Sequence, residues 1–129
     1  MQACSSTVVF AGFLGLLAGC STVQPEADDN WIGFTESGQA SYYSDYYQNR
    51  PTASGELYNH EKKTAAHREL PFGSNVKVTN VNNGESVIVR INDRGPYVDG
   101  RIIDLSRSAF SDIGSISSGT LAVEIEVVQ

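Results

Sequence analysis

Three short runs alternate between apolar and polar residues, and turn residues separate them. Residues 76–81 read VKVTNV, 86–92 read SVIVRIN and 121–128 read LAVEIEVV. Successive side chains of an extended chain point to opposite faces, so each run predicts a strand with one buried face. In the last run Val123, Ile125 and Val127 share one face, and Glu124 and Glu126 the other. Asn82-Asn83-Gly84 falls between the first two. Asn and Gly both accept positive φ, so this turn predicts a hairpin. Residues 39–43 alternate as well, and 102–105 read as a short buried strand. Residues 106–114 predict one short helix, with Ser106 capping its start, Gly114 its end, and Ala109, Phe110 and Ile113 on its apolar face. The expected fold is a small, mostly-β barrel with one helix.

The N-terminus bears on location. Residues 8–18 form an apolar run of signal-peptide length, short for a bilayer span. The run ends in Leu17-Ala18-Gly19-Cys20, which resembles the lipobox of bacterial lipoproteins, although MQACSST before it holds no Lys or Arg. That resemblance implies a signal peptide over 1–19 and acylation of Cys20, which holds a protein on a membrane without spanning it. Ser21 after the Cys implies the outer membrane, facing the periplasm. An ordinary secretory signal is the other reading. The chain's two cysteines are Cys4 and Cys20, so the domain that follows has no thiol for a disulfide, a nucleophile or a zinc-thiolate site.

Charge narrows the partners. Nine Lys and Arg against fifteen Asp and Glu give a net charge of −6, and the longest basic run is Lys62-Lys63. Nucleic acid is therefore not an expected partner. A peptide-bearing glycan would have to be held by hydrogen bonds and stacking rather than drawn in by charge. Residues 20–37 are polar and acidic and read as a flexible tether, with Trp31 and Phe34 free either to pack on the domain or to stay in solvent. The domain itself is expected over 38–129. Inside it, residues 44–63 show no periodicity, and a structureless loop of that length is usually functional. Its Tyr, Asn, Ser and Thr side chains suit sugar rings and hydroxyls.

Six motifs follow in order: Gly38-Gln39-Ala40-Ser41-Tyr42-Tyr43, Thr52-Ala53-Ser54-Gly55-Glu56, Thr64-Ala65-Ala66-His67, Leu70-Pro71-Phe72-Gly73, Asn92-Asp93-Arg94-Gly95-Pro96 and Gly100-Arg101-Ile102-Ile103-Asp104-Leu105-Ser106. Together they resemble the rare lipoprotein A family of bacterial septal and cell-wall proteins. The resemblance implies a six-stranded double-psi β-barrel and lytic transglycosylase activity on peptidoglycan. The SPOR domain that many members carry is not expected here.

A lytic transglycosylase cuts the MurNAc–GlcNAc bond without water, because the C6 hydroxyl of MurNAc attacks its own anomeric carbon. One carboxyl can protonate the leaving oxygen and then take the C6 proton, where an ordinary glycosidase uses two. The resemblance implies Asp93 as that acid/base, His67 as the group that orients or tunes it, and Glu56 as a support for positive charge at the anomeric carbon. Tyr43, Thr52, Ser54, Asn92 and Arg94 are the candidate substrate contacts. Each has a plainer reading. Asp93 can cap the turn after it through an Asx bond. His67 can be a hydrogen-bonded structural histidine, and Glu56 a solvated loop charge. Arg94 and Asp104 read as an ion pair bracing the loop. One of Tyr42 and Tyr43 should face the core and the other the groove. Tyr46, Tyr47 and Tyr58 read either as sugar platforms or as surface cover, and His60 as a surface residue. No metal spacing or cofactor motif is present in the sequence. Expected partners are peptidoglycan glycan strands, the membrane through the lipid anchor, and cell-wall or divisome proteins. The competing readings are an expansin-like glycan binder without catalysis, an inverting hydrolase using Asp93 with a second carboxylate, and a lipoprotein that only docks other wall proteins.

Overall fold

In the computed structural model, which describes residues 31–129, six strands close into a barrel. The expected signal segment, Cys20 and the first part of the tether lie outside the described residues. The strands are β1 (Thr35–Tyr42), β2 (Thr64–Ala66), β3 (Asn75–Asn80), β4 (Ser86–Asp93), β5 (Arg101–Leu105) and β6 (Leu121–Val127). Around the barrel they run β1-β5-β2-β4-β3-β6 and return to β1. The contacts β1–β5 and β2–β4 are parallel, and the others antiparallel. One helix, α1 (Arg107–Ile113), links β5 towards β6. This is the six-stranded barrel with one helix expected from the sequence.

The alternating runs do what their pattern dictates. Val76, Val78, Val89, Ile91, Val123, Ile125 and Val127 all point into one core, while Glu124 and Glu126 stay exposed. The helix adds Ala109, Phe110 and Ile113 to that core, as expected. Ser106 caps it, its Oγ accepting the Ala109 N–H at 3.3 Å. Gly114 ends it for a different reason than expected. Its φ of −171° is extended backbone, so no left-handed cap is formed. What it supplies is room, since a Cβ there would lie 2.6 Å from Leu121 Cδ1. The hairpin is also looser than a two-residue turn. Only Gly84 takes positive φ, at 79°, and its N–H reaches back to the Asn80 carbonyl at 2.8 Å.

Two features differ from the sequence reading. Strand β1 starts at Thr35, upstream of the expected boundary at Gly38, because residues 35–40 pair with β6. Trp31 and Phe34 stand edge to face at 5.2 Å and pack against the core. Strand β2 has no alternating signature. It is central, between β5 and β4, and all three of its residues are buried. Ala65 faces the barrel core, whereas Ala66 is covered from outside by Tyr43 and Tyr58.

Gly38 marks the tightest crossing near β1. A Cβ there would meet Ile102 Cγ2 at 2.6 Å and the Gly100 carbonyl at 3.2 Å. The Ile102 methyl is branched at Cβ and the carbonyl is backbone, so neither moves cheaply. Gly38→Ala is therefore expected to destabilise the domain by about 1–3 kcal/mol, read as a lower urea midpoint at unchanged slope.

The register around β2 places the chemistry. Ala65 pairs with Ile91, but the register then slips, so that Ala66 pairs with Asp93 rather than Asn92. A slip of this kind re-aims the side chain at a strand's end. On its other side Ala66 pairs with Asp104 of β5, and Asp104 pairs in turn with Ser41 of β1. Two carboxylates thus sit at one end of the barrel with a single alanine between them.

Candidate active site

Asp93 ends β4, and every hydrogen bond to it is donated by a neighbour. Its Oδ1 accepts the Ala53 N–H at 2.8 Å and the Arg94 N–H at 2.9 Å. Its Oδ2 accepts the Tyr43 hydroxyl at 2.6 Å. The Arg94 contact is a turn brace of the kind the plain reading foresaw. The other two reach across the fold, one to the 44–63 loop and one to the end of β1. That loop is tied down further where Ser54 N–H meets the Asn92 carbonyl at 3.2 Å.

Tyr43 is itself held rigid. It is buried and stacks on buried Tyr58, with ring centroids 4.2 Å apart and planes 14° from parallel, and the Tyr47 ring stands perpendicular to it at 5.7 Å. Burial first, and then the Asp93 hydrogen bond, push its phenol pKa upward, so it remains a donor. Tyr42 turns the other way, onto Phe110 at 4.8 Å. Tyr43→Phe keeps the stacked ring and removes only the donor. A hydrogen bond to a charged group is worth about 1.5–3 kcal/mol, so turnover is expected to fall by about ten- to a hundredfold with KM little changed. Steady-state kinetics on soluble glycan strands would check this.

Asp104 lies across the same cleft. It accepts a hydrogen bond from Ser41 Oγ. Burial pushes its carboxyl pKa up; the Ser41 hydrogen bond and the Arg101 charge oppose this, and the Asp93 charge adds to it. The expected Arg94–Asp104 ion pair is not formed. The Arg94 guanidinium instead donates to the carbonyls of Leu70 at 2.9 Å and His67 at 3.3 Å and lies 4.1 Å above the Phe72 ring. Arg94 does brace the loop, but through backbone oxygens. The cleft measures about 290 Å³ and is lined by Ser41, Tyr43, Tyr47, Asp93, Arg94 and Asp104 among others.

The remaining candidates sit beside this cleft, not in it. Glu56 lines a second cleft of about 390 Å³ together with Lys62, Arg90 and Asn92. Its carboxylate takes the Asn92 amide at 2.9 Å and the Arg90 guanidinium at 3.1 Å, and these bonds, in that order, hold its pKa down. Asn92 is buried, and its Oδ1 has no hydrogen-bond partner among the described residues. Thr52 is spent within its own loop, on the Glu56 carbonyl at 2.8 Å and Ser54 Oγ at 3.0 Å. Ser54 is exposed at that loop's surface.

His67 is buried, and its ring points away from Asp93. Nδ1 accepts the N–H groups of Glu69 at 3.0 Å and Leu70 at 3.2 Å, and Nε2 meets Glu36 Oε1 at 2.9 Å. Its main chain, by contrast, touches the site, donating its N–H to the Asp93 carbonyl at 3.2 Å. His60 is not a free surface residue. It joins the Tyr58 hydroxyl at 2.7 Å to Asp45 at 2.9 Å, in a chain behind Tyr43. Tyr58 is accordingly a buried support, while Tyr46 and Tyr47 are exposed. The sequence reading missed Ser41 and Asp104 as cleft residues. Its one available signal was an acid inside the apolar run 102–105.

Comparison with known proteins gives a consistent result. A family model described as lytic transglycolase matches residues 35–125. The endolytic peptidoglycan transglycosylase RlpA of Vibrio cholerae is 54% identical over 96 residues, covering 74% of this chain and 36% of that protein. Its namesake from Campylobacter jejuni is 50% identical over 97 residues, covering 75% and 35%. The chain therefore spans about a third of the length of the curated relatives it matches. Among solved structures, the Streptomyces papain inhibitor superposes with a TM-score of 0.63 at 24% identity, covering 76% of this chain and 97% of that one. The apo expansin of Clavibacter michiganensis gives 0.59 at 22%, covering 74% and 51%. These two share the fold.

Proposed function

The chain belongs to the lytic transglycosylase family built on this barrel, and from that premise we propose that it cuts peptidoglycan glycan strands internally at the MurNAc–GlcNAc bond, leaving 1,6-anhydroMurNAc ends. The observation that carries the reading is Asp93. Its carboxylate stands in an open polar cleft with both oxygens fixed by Ala53, Arg94 and Tyr43. A carboxylate held in this way is preorganised to take the proton of an attacking hydroxyl. Tyr43 and Arg94 line the approach, and exposed Tyr47 offers an aromatic ring for a sugar. Glu56 and Asn92, in the neighbouring cleft, would contact the strand further along.

The setting follows the same reading. An acyl anchor on Cys20 would hold the domain at the outer membrane, facing the peptidoglycan, for wall remodelling or daughter-cell separation. Incorporation of labelled palmitate that Cys20→Ala abolishes would support the anchor.

The activity is tested by digesting purified sacculi, intact and stripped of stem peptides, with the detergent-solubilised full chain. Products are read by mass spectrometry. Anhydro-ended fragments are the expected result. Reducing ends in their place would make the protein a hydrolase. No fragments, with co-sedimentation on sacculi retained, would leave a glycan binder.

A further inference from the structure

Two carboxylates face the cleft, and they are held in opposite ways. Asp93 accepts from Ala53, Arg94 and Tyr43, while Asp104 has one protein partner, Ser41 Oγ, on its Oδ1. Its Oδ2 makes no hydrogen bond among the described residues. Ala66 lies between the two acids in register, paired with Asp93 on one side and Asp104 on the other. Adjacent strands lie about 4.8 Å apart, so the two backbones are roughly 10 Å apart, with side chains turned to a shared space. Tyr43 and Tyr58 cover the alanine between them, and both acids line the cleft beside the Tyr43 ring. We infer that Asp104 is a second catalytic residue, the donor that protonates the leaving glycosidic oxygen, while Asp93 takes the proton of the attacking hydroxyl. This rests on the transglycosylase reading above and divides between two groups what one carboxyl was expected to do.

The step balances. As the C1–O bond to the departing GlcNAc breaks, the proton on Asp104 Oδ2 passes to that oxygen. The C6 oxygen of MurNAc bonds to C1, and its proton goes to Asp93. A carboxylate has about four acceptor sites. Three on Asp93 are occupied, which leaves one for the incoming hydroxyl. Turnover ends with the proton on Asp93 and the charge on Asp104, and proton exchange through solvent restores the start. No water is consumed.

The environments support the division. Burial favours the protonated form of Asp104, and the Asp93 charge adds to it, against Ser41 and Arg101. Tyr42, Tyr43, Tyr47, Arg94 and Arg101 are the other ionisable groups lining the cleft. A buried carboxyl pushed towards its protonated form beside a second carboxylate suits the donor role.

The test compares Asp104→Asn with Asp93→Asn on two substrates. Asn at 104 keeps the shape and the oxygen that Ser41 needs. Release of anhydro ends from stripped sacculi is expected to fall at least about a hundredfold in both variants. On a dinitrophenyl glycoside of GlcNAc-MurNAc the leaving group needs no proton, so Asp104→Asn should come within about tenfold of the parent while Asp93→Asn does not. An equal loss on both substrates for Asp104→Asn, or no loss on either, overturns the assignment. A parent that yields no anhydro ends on either substrate overturns the transglycosylase reading and this with it. Should Asp104→Asn fail to fold, Ser41→Ala decides. Without the hydroxyl that favours ionised Asp104, the alkaline limb of the pH–rate profile should move to higher pH, and an unmoved limb overturns the proposal.

Discussion

Asp93→Asn is expected to lower the release of anhydro-ended glycan from sacculi by about a thousandfold, the middle of the range for a positioned acid–base group. The fold should survive. An Asn side chain can keep its oxygen where Oδ1 accepts the Ala53 and Arg94 N–H groups. Its amide nitrogen then faces Tyr43, whose hydroxyl can rotate and accept instead of donating. All three neighbours remain satisfied, so the melting temperature should shift by only a few degrees, on the order of 1 kcal/mol or less. What is lost is the acceptor site that the attacking hydroxyl would use. Mass spectrometry of the released fragments, with a thermal melt of the same preparation, separates the two effects. A variant that releases anhydro ends at the parent rate would leave Asp93 a turn brace and remove it from the chemistry.

How far the sequence reveals this molecule depends on which side of each element is covered. Strands β3, β4 and β6 each bury one face in the barrel, so alternation exposes them. Strand β2 is covered on both faces, by the core over Ala65 and by Tyr43 and Tyr58 over Ala66, so its three residues carry no period. The helix is legible because Ser106 and its apolar stripe are local signals. Why Gly114 ends it is not, since the reason is Leu121, seven positions on and in another strand.

The site divides in the same way. The family resemblance groups Glu56, His67 and Asp93, and main-chain bonds do join their segments, His67 N–H to the Asp93 carbonyl and Ser54 N–H to the Asn92 carbonyl. It does not give side-chain direction. The His67 ring turns to Glu36 on β1, and the Glu56 carboxylate turns to Arg90 and Asn92 in the adjoining cleft. Asp104 joins Asp93 only because β2 runs parallel to β4 and antiparallel to β5, with a register slip at Ala66. No local pattern holds that information. The Tyr43–Asp93 bond likewise links positions fifty residues apart.

The direction of the His67 ring leads to the second large effect. His67→Ala is expected to cost about 3 kcal/mol of stability, because the Glu69 and Leu70 N–H groups lose their acceptor in a region where Leu70 is fully buried. For a domain of this size that is a drop of roughly 12–20 °C in melting temperature. Activity should fall as well, since the same turn carries the Leu70 and His67 carbonyls that clamp Arg94 beside Asp93. A catalytic imidazole and a structural one then predict different rescues. In His67→Asn the side-chain oxygen falls near the place of Nδ1, so it can accept the two N–H groups while lacking any imidazole chemistry. If the ring acts by holding the turn, Asn should recover most of the melting temperature and, with it, most of the turnover per folded molecule. Glu36→Gln should be mild, because an amide oxygen still accepts from Nε2. A stable His67→Asn protein with no turnover would instead return the imidazole to the chemistry, through a movement that carries it from Glu36 to the cleft.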